Sequence, residues 1–133
     1  MINANISTGD ILENDLLQVY INSTNKYQAA DNNTIMDYII KSDGWEAIND
    51  TRDKALSLSK IFSFDSFSKS VKFSFLVSDL AQIMNHHPVI YIEWNQVTID
   101  LYTWALDNSI SNLDLRSAIL LDQLYNLVVK DDL

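Results

Sequence analysis

The sequence predicts an α+β domain: a four-stranded antiparallel sheet with helices packed on one face. Three observations carry this expectation. Leu56, Leu58, Phe62 and Phe64 alternate with Ser57, Ser59, Ile61 and Ser63, a period of two that marks a half-buried strand, with Lys60 interrupting the apolar side. Strand-like runs come in consecutive pairs, which favours hairpins and therefore antiparallel pairing. Apolar residues at helical spacing fall between and after those pairs, so the helices can share one face of the sheet.

The elements follow in chain order. Residues 1–32 read as an N-terminal extension in which Ile11, Leu12, Leu16, Leu17, Tyr20 and Ile21 suggest a short helix at about 9–21, and Asn22 to Asn33 reads as a polar loop or linker. The folded domain is expected over 33–133. It opens with a helix over Thr34–Ser42, capped by Asn33 or Thr34 and ended by Gly44. Trp45–Ile48 is a candidate strand and Asn49–Lys54 a charged turn. After the alternating strand, Asp65 or Ser66 caps a long helix reaching Asn85, with Phe67, Val71, Phe73, Phe75, Val77, Leu80 and Met84 read as core, and Lys69 and Lys72 lying away from it. Val89–Trp94 and Val97–Trp104 form a hairpin around Asn95-Gln96, with Val97, Ile99, Leu101 and Thr103 on one face. A last helix starts at Ser111-Asn112-Leu113-Asp114, a capping box in which Asp replaces the usual Glu or Gln, and runs to about Val129.

Composition narrows the function. One domain is the natural reading of 133 residues, and 47% hydrophobic content supports a real core. There is no cysteine, which removes disulfides, iron–sulfur clusters and thiol nucleophiles together. The net charge is −9, and the nine bases are scattered singly, so no basic face exists to displace counterions from nucleic acid. No apolar run approaches the roughly 18 residues of a membrane span. The N-terminus lacks the pattern of a secretory signal, and no arginine precedes Arg52, unlike a transit peptide. A soluble cytoplasmic protein without nucleic-acid or membrane partners is expected.

The best candidate for chemistry is Asn85-His86-His87-Pro88, which holds both histidines and the only proline. Histidine transfers protons near neutral pH, and a junction between helix and hairpin can present side chains to a pocket. The same residues also suit a plain helix stop, with Asn85 as left-handed cap and proline as terminator. Metal binding is disfavoured, because adjacent side chains seldom converge on one ion and no third ligand is evident.

Taken together, several motifs resemble the pterin-4a-carbinolamine dehydratases (4a-hydroxytetrahydrobiopterin dehydratases). They are Gly44-Trp45, Leu58-x-Lys60-x-Phe62-x-Phe64, Asp65-x-Phe67, His86-His87-Pro88, Trp94-Asn95-Gln96-Val97, Leu101-Tyr102-Thr103-Trp104 and Asp114, over roughly residues 34–129. Two positions depart from the family pattern. Gln82 stands where an acid is usual, and Trp104 stands where many members carry a third histidine.

The resemblance implies dehydration of 4a-hydroxytetrahydropterin to quinonoid dihydropterin, recycling tetrahydrobiopterin by acid–base catalysis without metal or other cofactor. His86 and His87 would be the catalytic pair, with Trp94, Trp104, Asp114 and Gln82 as substrate-binding candidates. For Trp104 a purely structural role stays open, and for Asp114 the capping box is sufficient alone. With two departures the enzyme is expected to work more slowly. The resemblance also implies a homodimer or homotetramer and a link to an aromatic amino-acid hydroxylase. The alternative is a non-catalytic dimerisation or assembly cofactor on the same scaffold, as for members that partner a transcription factor.

Overall fold

A computed structural model describes residues 27–50, 55–106 and 109–130. The helix expected at 9–21 lies outside them. The elements are α1 (Asn32–Lys41), β1 (Glu46–Asp50), β2 (Ala55–Ser63), α2 (Phe67–Met84), β3 (Val89–Glu93), β4 (Gln96–Leu101), a 3-10 turn (Trp104–Leu106) and α3 (Asn112–Lys130). The four strands form one sheet in the order β1-β2-β4-β3 with every pair antiparallel. This is the predicted α+β architecture. The helix ahead of β1 starts earlier than expected, because Asp31 is its cap. The Asp31 carboxylate accepts the Thr34 N–H at 2.7 Å, a bond that holds its carboxyl below the ordinary carboxylate range.

The register explains the core. Leu58 pairs with Leu101, Phe62 with Val97, and Ile90 with Ile99. Leu58, Phe62, Val97, Ile99 and Leu101 are all buried beneath α2 and α3, which also pack against each other. Phe62 sits at the centre, 4.8 Å from the Phe73 ring and 5.2 Å from that of Tyr125. Offset and edge contacts of this kind add stabilisation beyond area burial.

Lys60, the break in the apolar alternation, is explained by a partly buried ion pair. Its Nζ lies 2.7 Å from Asp122 Oδ1, while the other oxygen, Oδ2, accepts the Trp45 indole N–H at 3.1 Å. The same ammonium lies 4.9 Å from the Phe62 ring centre. Gly44, at φ 92, sits over the Lys60 stem, and a Cβ there would meet Lys60 Cε at 3.4 Å. Burial and the nearby Asp122 charge hold the Tyr38 phenol above its ordinary range.

Two expectations are corrected on α2. Phe67, Val71 and Phe75 are 53%, 41% and 67% exposed rather than core. Apolar residues occur on two sides of this helix, and Phe73, Leu76, Val77, Leu80 and Met84 occupy the side that meets the sheet and α3. Lys69, expected outside, is buried and reaches Asp65 at 3.4 Å. Ser70 and Ser74 share that buried side, where the Ser74 hydroxyl donates to the Ser70 carbonyl at 2.8 Å.

The hairpin turn is also shifted by one residue. Glu93 pairs with Gln96, which leaves Trp94-Asn95 as the turn. The Asn95 carbonyl accepts the Phe64 N–H at 2.8 Å, tying the turn to the end of β2. Trp94 then takes the left-handed conformation at φ 47, uncommon for so large a residue. Among the described residues no helix is long and apolar enough to cross a membrane.

Candidate active site

The end of α2 sets the site. Asn85 adopts φ 52 and ψ 40 and closes the helix in the left-handed conformation. Its N–H donates to the Gln82 carbonyl and the His86 N–H donates to the Ala81 carbonyl, the paired bonds of a Schellman closure. The helix stop anticipated for Asn85-His86-His87-Pro88 is therefore real, and it aims the histidines. His86 turns inward and its side chain is 10% exposed. His87 stays on the surface, its Nε2 3.2 Å from Gln82 Oε1 one turn back on α2. Since that oxygen is an acceptor, His87 Nε2 is the donor.

His86 meets a buried carboxylate. Its Nε2 lies 2.6 Å from Asp114 Oδ1, and Asp114 has no exposed surface. The other oxygen, Oδ2, accepts the Thr103 hydroxyl at 2.7 Å and the Ser111 N–H at 2.9 Å. Thr103 Oγ1 and Ser111 Oγ are themselves hydrogen-bonded, and the Leu113 N–H donates to Ser111 Oγ at 3.1 Å. Asp114 thus does two jobs. One oxygen completes the capping box at the start of α3, and the other faces His86. With hydroxyl and amide donors already on it, the carboxylate acts as acceptor, so His86 Nε2 carries hydrogen, and in the neutral ring Nδ1 is the acceptor.

Thr103 and Ser111 are missing from the sequence-based set of site residues. A signal for Thr103 is present: it continues the inward-facing series Val97, Ile99, Leu101, where a hydroxyl needs a buried partner. Its backbone is fixed by an isolated bridge to Ser109, with Thr103 N–H donating to the Ser109 carbonyl at 2.8 Å. The 3-10 turn that follows projects Trp104 outward, 82% exposed.

These elements surround a cavity of about 620 Å³ lined by His86, His87, Trp104, Tyr102, Tyr27 and their neighbours. A volume in this range suits a small organic ligand. Four of the residues picked from sequence therefore converge, His86, His87 and Trp104 on the cavity wall and Asp114 behind His86, while Gln82 holds His87 from α2. Trp94 does not line the cavity; it sits in the hairpin turn, 70% exposed. Among the described residues no group of three or more His, Asp or Glu side chains could hold a metal ion. The arrangement offers an imidazole fixed through its Nε2, a second and more exposed imidazole, and an exposed indole beside them. Such a set can move protons on a flat ring.

Residues 28–124 match the family model described as pterin 4 alpha carbinolamine dehydratase. A protein of Saccharolobus islandicus, provisionally assigned as a pterin-4-alpha-carbinolamine dehydratase, is 30% identical over 88 residues, covering 66% of this chain and 84% of its own. Pterin-4-alpha-carbinolamine dehydratase 2, a mitochondrial protein of Arabidopsis thaliana, is 32% identical over 77 residues, 57% of this chain and 40% of its own. The crystal structure of a transcriptional coactivator/pterin dehydratase from Brucella melitensis superposes with a TM-score of 0.64 at 21% identity, covering 74% of this chain and 99% of that one. A pterin dehydratase-like protein identified as a RuBisCO assembly factor in the alpha-carboxysome superposes with a TM-score of 0.52 at 21% identity, covering 62% and 90%.

Proposed function

Because the chain belongs to the pterin 4 alpha carbinolamine dehydratase family, we propose that it dehydrates 4a-hydroxytetrahydropterin to quinonoid dihydropterin and water, recycling a tetrahydropterin cofactor. The observation that carries the reading is the His86–Asp114 pair, bonded at 2.6 Å on the wall of a cavity shared with His87 and Trp104. In the reaction N5 loses its proton, the C4a–O bond breaks, and the hydroxyl leaves as water once protonated. The C4a=N5 bond forms in its place. His86 is assigned the base, because Asp114 fixes its Nε2–H, leaves Nδ1 to accept, and balances the imidazolium that results. His87, held by Gln82, is assigned the acid that protonates the departing hydroxyl. Trp104 supplies an aromatic face for the ring. No third imidazole is present to share the proton traffic, and Gln82 cannot support His87 as a carboxylate would, so turnover below that of a three-histidine relative is part of the proposal.

Quinonoid dihydropterin formation from 4a-hydroxytetrahydrobiopterin tests this. His86→Ala and His87→Ala should each slow it about 10²–10⁴-fold; rates indistinguishable from wild type would sink the catalytic assignment.

One observation favours a second reading, a non-catalytic dimerisation or assembly cofactor. Phe67, Val71 and Phe75 lie one helical turn apart on the outer side of α2, all exposed. Two structural relatives are named as a coactivator and an assembly factor. The same stripe, with the exposed edge of β3, also supports a homodimer or homotetramer. Sedimentation of wild type and Phe75→Glu separates the cases. Homo-oligomer formation predicts a lower mass for the variant, and a wild-type monomer unaffected by the change removes it.

A further inference from the structure

The segment just before α1 supplies a cavity wall that the dehydratase reading leaves without a role. Tyr27 lines the same cavity as His86, His87 and Trp104, with its side chain partly open to it. It is not loosely placed. The Gln28 N–H donates to Asn112 Oδ1 at 2.7 Å, the Asn112 N–H donates to the Gln28 carbonyl at 2.9 Å, and the Ala30 N–H donates to the Ile110 carbonyl at 3.1 Å. Ala29 forms an antiparallel bridge with Ser111, and Ser111 is the residue whose N–H holds Asp114. The strip carrying Tyr27 and the carboxylate that fixes His86 are therefore mounted on one residue. The Tyr27 backbone is positioned relative to the reacting imidazole by a short chain of hydrogen bonds from Gln28 to Ala30, which lowers the cost of loop ordering when a ligand arrives.

We propose that Tyr27 is a substrate-binding residue whose ring forms an aromatic wall for the bound pterin and sets its affinity. This rests on the dehydratase reading. A reduced pterin is uncharged and planar over its pyrimidine half, so its binding free energy must come largely from ring faces and a few polar contacts, and Trp104 and Tyr102 offer aromatic surface in the same cavity. A further ring on a separately anchored strip adds another aromatic contact of the type that strengthens binding severalfold. His86, His87 and Asp114 belong to other elements, so loss of the Tyr27 ring should act on binding and leave the proton-transfer groups in place.

The test compares full-length wild type with Tyr27→Ala, Tyr27→Leu and Tyr27→Phe. Affinity for 7,8-dihydrobiopterin is read from tryptophan fluorescence, and KM and kcat from turnover of 4a-hydroxytetrahydrobiopterin. Ala and Leu should raise Kd and KM about three- to tenfold, consistent with the loss of one aromatic contact, with kcat within about twofold; Phe should recover most of the loss. Tyr91→Ala, an exposed tyrosine on β3 outside the cavity, should leave all three constants unchanged. If Ala fails to fold, Leu decides the question. Wild type that binds and turns over, with Kd and KM unchanged in the ring-less variants, overturns this inference alone. A drop in kcat at constant KM overturns it also, because it points to a structural role through Ser111. Wild type that does not bind dihydrobiopterin overturns the dehydratase reading and this inference with it.

Discussion

Replacing Asp114 by Asn changes one atom and should disable His86 while leaving the fold intact. The carboxylate faces three short contacts, His86 Nε2 at 2.6 Å, the Thr103 hydroxyl at 2.7 Å and the Ser111 N–H at 2.9 Å. An asparagine carbonyl in the place of Oδ2 still accepts from Thr103 and Ser111. Its amide must then face His86 Nε2, which has to become an acceptor, and the imidazole hydrogen moves to Nδ1. The nitrogen assigned as base is then occupied. Hydrogen bonds to a charged acceptor contribute roughly 1.5–3 kcal/mol against 0.5–1.5 for neutral ones. Over two or three bonds the loss is about 2–4 kcal/mol of stability, small enough for a folded variant. The kinetic cost is that of a base held in the wrong tautomer, about 10²–10⁴-fold in kcat. Urea denaturation and turnover of 4a-hydroxytetrahydrobiopterin measure the two effects separately. A variant destabilised as expected but turning over within about threefold of wild type would refute the tautomer argument and leave Asp114 as a helix cap.

Three further outcomes follow from the geometry. Trp104→His restores an imidazole where many relatives carry one; the 82% exposed position should tolerate it, and kcat should rise severalfold, whereas no gain in kcat would remove the indole as the cause of slow turnover. Lys60→Ala leaves Asp122, among the described residues, with the Trp45 indole as its partner, and because Asp122 is 30% exposed the cost should be about 2–3 kcal/mol, below that of a fully buried pair. Lys60→Ala/Asp122→Ala should cost less than the sum of the single changes in denaturation experiments; strict additivity would refute the coupling. Asp31 has its carboxyl lowered from 3.8 by the Thr34 N–H, so its cap stabilises α1 above that value and loses strength as pH falls through the lowered folded-state value. Asp31→Ala should therefore lower Tm at neutral pH by an amount that is constant above about pH 5 and shrinks in acid, and a gap that persists unchanged at pH 2 would contradict the assignment.

Strong periodic and capping signals made most of the fold legible from residues alone. Period-two alternation located β2 and β4 because the large apolar side chains of those strands lie on one face, and Ser66, Asn85 and Ser111 marked helix ends because each offers a specific bond there. Periodicity was less informative where a helix is apolar on two sides. Phe67, Val71 and Phe75 are as well spaced as Phe73, Val77 and Leu80, and only tertiary packing decides which side meets the sheet. The hairpin turn moved to Trp94-Asn95 because the Asn95 carbonyl is claimed by Phe64, a contact between distant segments that local turn chemistry does not encode. In the site, His86 and His87 stood out by residue type, and Asp114 by its place in a capping box. That one oxygen of Asp114 caps α3 while the other meets His86 depends on where α2 ends relative to α3. Tyr27 was hidden for a related reason. A polar strip with no periodicity reads as linker, and its role emerges only from the bridge to Ser111.

A structure of the complex with 7,8-dihydrobiopterin tests the central claim most directly. The account predicts the pterin ring in the cavity, with N5 and C4a within about 3.5 Å of the His86 and His87 ring nitrogens and a ring face against Trp104. A pterin seated elsewhere, or one whose N5–C4a edge points away from both histidines, would contradict it.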